Sequence, residues 1–167
     1  MAIKDILLAE YDHEMAVTRR VLERVPAAEL GWRPHDKSFA LGVLATHLAN
    51  IPSWTQIVLE KADFDMADTP PESRNTIPLS SRDEILSRFD QNAAEGRQSL
   101  EAQSDAQLLA MWTFRNTGQT VFTMPRVAAL RRFVLNHNVH HRAQLGVYLR
   151  LRNVPVPATC GPSADEG

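Results

Sequence analysis

Cysteine is nearly absent from the 167 residues. Cys160 stands alone, which excludes an intrachain disulfide and a multi-cysteine metal site. No apolar run approaches the roughly 20 residues that a bilayer-spanning helix needs. The start, Met1-Ala2-Ile3-Lys4-Asp5-Ile6, lacks the basic-then-apolar order of a secretory leader. A cytoplasmic location is therefore the expectation, with no membrane partner. Global charge bias is missing as well: the net charge is −2, which gives no pull toward nucleic acid or anionic lipid. Locally, it is acid that is missing. Between Ala106 and Ala164 there is no Asp or Glu, against seven arginines: Arg115, Arg126, Arg131, Arg132, Arg142, Arg150 and Arg152. They fall on several helix faces with few aromatics between them, not on the one-sided patch of a nucleic-acid binder. A basic last helix packed among acidic partners accounts for them.

What is present is ordinary for one globular domain over 1–167. Apolar residues make up 44% and charged residues 23%. The most informative stretch runs from Val127 to Arg152, with no Pro between Pro125 and Pro155. Val127, Leu130, Val134, His137, His141, Leu145 and Tyr148 recur at threes and fours, the buried stripe of an amphipathic helix. His137 and His141 take stripe positions one turn apart. Buried imidazoles need partners. Those are either neighbouring hydrogen-bonding groups or one metal ion that uses both rings. A third ring is available earlier, where Leu41, Leu44, His47, Ile51, Trp54 and Val58 form another stripe. Pro52 lies one turn past His47 and either kinks that helix or divides it in two.

The remaining elements follow from local signals. Ile3 to Val25 predicts a first helix on the stripe Ile3, Leu7, Tyr11, Thr18 and Leu22. Its polar cluster Glu10, Asp12, His13 and Glu14 is a solvated face, or supplies a carboxylate that orients a ligand histidine. Ser38 is the expected N-cap of the second helix, and His35 is placed on the surface of the preceding turn. Asp63 to Ser80 is a polar connection, a crossover, lid or mobile loop. Ser81 and Glu84 make a capping box for a third helix reaching Gln103, with Gly96 its weak point; Ser104 and Gln107 make another box. Residues 111–114 and 120–123 around Asn116-Thr117-Gly118 form a possible hairpin. Four long helical patterns with two long connections imply an all-α, four-helix bundle with a crossover.

The residues Leu44-Ala45-Thr46-His47-Leu48, together with His137-Asn138-Val139-His140-His141-Arg142-Ala143-Gln144-Leu145 and the tail from Val154 to Glu166, resemble the DinB/YfiT-like superfamily. The resemblance covers nearly the whole chain. It implies a four-helix bundle, commonly a homodimer, holding a divalent metal on His47, His137 and His141. Pro52 departs from the uninterrupted helix expected there. Some relatives transfer or isomerise with low-molecular-weight thiols, so the resemblance implies a thiol S-transferase-like enzyme acting on a small molecule. A non-catalytic metal-binding or stress-response dimer is the alternative, and histidines satisfied without metal are a third reading. Three imidazoles leave a coordination position open and suit zinc, nickel or iron alike. His140 then flanks the site as a group behind the ligands or on the surface. Trp54 and Trp112 are candidates to line a substrate pocket. Arg142 and Arg150 are candidates to hold a carboxylate or to form exposed ion pairs, while Asn136 and Gln144 face solvent or the pocket. Cys160 is a bystander.

Overall fold

The computed structural model describes residues 2–69 and 77–166. Helix α1 spans Ile3–Glu23, ending two residues short of the expected Val25, with its stripe buried at Leu7, Tyr11, Thr18 and Leu22. Helix α2 spans Leu41–Asn50 and α3 spans Trp54–Glu60, with one 3-10 turn, Ile51–Ser53, between them. Pro52 therefore divides the segment. It has no N–H to give to the turn before it.

The expected Ser38 cap is not used. Ala40 is the N-cap of α2, with no side-chain cap. The free amides at this helix start are taken up by main chain instead: Leu41 N–H donates to Trp32 O and Gly42 N–H to Leu30 O, each at 2.8 Å.

Helix α4 spans Arg82–Glu101, and Ser81 Oγ accepts from Glu84 N–H at its start. The reciprocal bond goes one residue further out, to Ser80 N–H. Helix α5, Asp105–Leu109, carries the full box between Ser104 and Gln107. Helices α6, Arg126–Leu130, and α7, Asn136–Leu151, occupy the long stripe. They are joined by a π turn, Arg131–Leu135, in which Asn136 N–H reaches back to Arg131 O. The expected single helix is thus interrupted, and regular α-helix resumes at Asn136, one residue before the first histidine. Helix α1 packs on α4 and α7, and α2 packs on the same two.

The chain is mostly helical but not all-α. The predicted hairpin is present as β2, Met111–Asn116, and β3, Gln119–Pro125, with Thr117 and Gly118 at positive φ in its turn. A third strand, β1, Asp63–Asp65, pairs parallel to β2 with Asp63 opposite Thr113. It lies in the stretch expected to be a loop, of which residues 70–76 fall outside the described residues. One face of the sheet is aromatic. Phe114 and Phe122 stack at 5.3 Å, and Phe122 stacks on Phe133 of the π turn at 5.1 Å. Asp65 ties strand to hairpin by accepting from Ala67, Thr117 and Gly118 N–H. Those bonds, Ala67's foremost, hold its carboxyl below the usual aspartate range.

Gly96, a weak point in the sequence, turns out to be where three elements meet. A Cβ there would lie 2.5 Å from Tyr11 Oη and 2.9 Å from the Pro52 carbonyl oxygen. The Pro52 contact is backbone and cannot swing aside. Gly96→Ala is therefore expected to destabilise the protein by about 1–3 kcal/mol, outweighing its gain in helix propensity. Chemical denaturation checks this; an unchanged or raised midpoint contradicts it.

Candidate metal centre

His47 comes from the last turn of α2, and His137 and His141 from the first two turns of α7. These are the three histidines that the sequence singled out, and the packing of α2 on α7 brings them together. The candidate ligand atoms all lie within 4.8 Å of one another. His47 Nε2 and His137 Nε2 are 3.0 Å apart. Two tetrahedral ligands at a zinc–nitrogen distance of about 2.0–2.1 Å stand roughly 3.3 Å apart, so this pair is already near bonding spacing. The rings of His47 and His141 meet edge to face at 4.4 Å.

The protonation states fit a cation. Burial first, then the neighbouring His47 and His141, pushes His137 down to about 4. Burial also lowers His141, and His140 adds to that, while Gln144 opposes it. Both rings are neutral at neutral pH, as metal ligands must be. His141 Nδ1 lies 2.7 Å from Gln144 Oε1. An amide oxygen only accepts, so the proton is on Nδ1 and the lone pair of His141 is on Nε2. Gln144, one of two readings for a lone helical amide, is thus the group that sets the ring's tautomer and angle. Gln144→Leu frees that rotation. Metal affinity is expected to fall about 10–100-fold with the fold retained; competitive chelator titration reads it, and an unchanged affinity removes this role.

His140 is exposed and meets His141 only edge to face, with ring centroids 4.8 Å apart. Asn136 is exposed. Two assignments differ from expectation. Glu14 does not orient a histidine, and Arg142 is not an exposed ion pair or a ligand for a foreign carboxylate. Arg142 is 3% exposed and binds Glu14 itself, at 2.6 Å. It also donates to Glu14 O and Thr18 Oγ1, and Thr18 Oγ1 in turn bonds Asn138 Oδ1 at 2.5 Å. Positions 138 and 142 of α7 therefore hold positions 18 and 14 of α1, while positions 137 and 141 face α2. Two interleaved i,i+4 pairs fix the helix on both sides. No local signal marks these four as one buried unit, because their partners lie more than a hundred residues apart. Arg150 does form an exposed pair, with Asp165 at 2.5 Å. Cys160 is exposed. The acid-poor last segment does pack among acids: Arg131 binds Glu10 and Arg152 binds Glu29.

His47 and His137 also line a cavity of about 780 Å³. Trp54 and Trp112, both singled out in the sequence, are on its wall, with Phe114 and Phe133. Trp54 sits edge-on to both rings, 5.8 Å from His47 and 5.1 Å from His137.

Fold and site together define a mostly helical protein with three convergent imidazoles, able to hold a divalent metal, beside an open aromatic cavity. The chain belongs to the DinB superfamily, whose sequence pattern matches residues 10–145. Its fold is similar to the crystal structure of a DinB-like protein from Bacillus cereus, at 19% identity and TM-score 0.70 over 94% of this chain and 97% of that one. It is also similar to a DinB-like protein, YjoA, from Bacillus subtilis, at 14% identity and TM-score 0.64 over 95% and 96%. No functionally curated protein matches the chain. Among the described residues, no helix is long and apolar enough to cross a membrane.

Proposed function

We propose that this protein is a divalent-metal-dependent enzyme acting on a small molecule, with transfer to or from a low-molecular-weight thiol as its reaction. The observation that carries the reading is the position of the imidazole cluster: two of its three rings, His47 and His137, line a cavity large enough for a substrate, and the ligand atoms of all three lie within 4.8 Å of one another. His47, His137 and His141 would hold the cation; their type suits zinc, nickel or iron. A bound dication lowers the pKa of a water or thiol on it and so supplies a nucleophile at neutral pH. The chain's own residues do the rest. Gln144 holds the His141 ring, the Glu14–Arg142 contact holds α7, and Trp54 and Trp112 exclude water and receive the apolar part of a substrate. An open cavity favours this over a non-catalytic metal-binding dimer. The proposal extends to one domain over 1–167 built as a four-helix bundle on α1, α2, α4 and α7, acting as a homodimer in the cytoplasm.

Protein purified without an affinity tag is expected to carry about one metal ion per chain. With glutathione, bacillithiol or mycothiol it is expected to consume electrophiles from a broad panel in a thiol-dependent way. Metal without thiol-dependent turnover removes the reaction; absence of metal removes the whole reading.

A further inference from the structure

Two cations, Lys61 and Arg88, line the same cavity as His47 and His137, against one carboxylate, Asp68, among the described residues. Most arginines of this chain are held by an acid, as Arg19 is by Asp90 and Arg97 by Asp12. Arg88 is not. It is exposed, and it makes no ion pair or hydrogen bond among the described residues. It lies one turn before Asn92 on α4, and Asn92 is fixed at the cavity wall by donating to Ala49 O at 2.8 Å. The Lys61 ammonium stands 5.7 Å from the centre of the Phe64 ring. The rest of the wall is largely apolar and aromatic.

We propose that the cavity takes a planar, apolar molecule bearing one anionic group, its ring body between the aromatic walls and its carboxylate or sulfonate on Arg88, with Lys61 assisting. This rests on the cavity being the substrate site but not on metal being bound. A guanidinium offers a fork of donors that matches a carboxylate's two oxygens. An uncharged molecule of the same shape keeps the burial and loses the pair, so charge and shape can be read separately.

The test titrates the full chain, metal-free and zinc-loaded, with 2-naphthoate and 2-naphthamide, following quenching of the cavity tryptophans. Naphthoate is expected to bind about tenfold or more tighter than the amide in both forms. Arg88→Gln is expected to bring the two within about twofold without changing the amide's affinity, and Arg82→Gln, outside the cavity lining, to leave the preference intact. Equal affinities in the unaltered protein overturn the proposal, as does a failure of both compounds to bind. So does a preference that survives Arg88→Gln, or a variant that weakens both compounds alike. A preference seen only with zinc places the anion on the metal and overturns the role of Arg88. A preference in protein that takes up no zinc upholds the anion site while the metal reading falls.

Discussion

Arg142→Met is expected to cost about 3–5 kcal/mol, the penalty for leaving one member of a buried ion pair without its partner. Against a total stability on the order of 5–15 kcal/mol, that removes much of the margin. The charge left behind is Glu14, only 17% exposed at its side chain. Thr18 loses a donor in the same step. The double variant Glu14→Leu, Arg142→Met is expected to recover most of the loss, because two apolar groups need no partner. Denaturation of the two singles and the double forms a cycle whose coupling is at least the loss that the double recovers, about 3 kcal/mol. Additive losses would show that the pair is not a unit. The cycle also bears on the metal site. Arg142 and Asn138 sit beside His141 and His137 in sequence but face α1, so a helix freed on that side presents its histidines less firmly. Metal affinity in the double variant is expected to stay below that of the unaltered protein even where stability returns.

The parts legible in the sequence are those whose causes are local. The apolar stripes of α1, α2 and α7 announce their own faces. The Ser81 and Ser104 caps need only three residues of context. The hairpin turn needs Thr117 and Gly118 to take positive φ, and a glycine beside Asn116 and Thr117 signals such a turn. The three histidines were legible because each interrupts an aliphatic stripe. The remainder is set by distant partners. Strand β1 is three residues long and exists by pairing with β2 some fifty residues later. Ser38 has the chemistry of a cap, but Trp32 and Leu30 carbonyls arrive first. The π turn hides because spacings of three and four fit the stripe with or without the added residue; such turns gather at functional sites, and this one places Phe133 on the sheet and in the cavity wall. Glu14 and Arg142 look like surface charges until α1 and α7 are laid together.

His47→Ala is expected to lower metal affinity by more than the roughly 10–100-fold that loss of a supporting contact costs, since it removes a ligand outright. His47 is the sole contribution of α2, and without it two rings on one helix remain. Calorimetric titration with zinc measures the loss, and an affinity within tenfold of the unaltered protein would falsify the assignment of His47. Acid provides a second readout in the metal-free protein. The His137 pKa in the folded chain, about 4, lies below its ordinary value of 6.5. Between those values the unfolded chain takes up a proton that the folded chain refuses, so stability must fall as pH drops from about 6.5 toward 4. Above 6.5 both states are neutral and the effect is absent. Burial is the largest cause of the shift and the neighbouring His47 ring the next. His47→Ala removes the second cause and opens the first, so the slope of stability against pH in that window should become shallower, while His137→Gln should remove this residue's share of it. A slope unchanged in both variants would mean that the rings are not packed as one group.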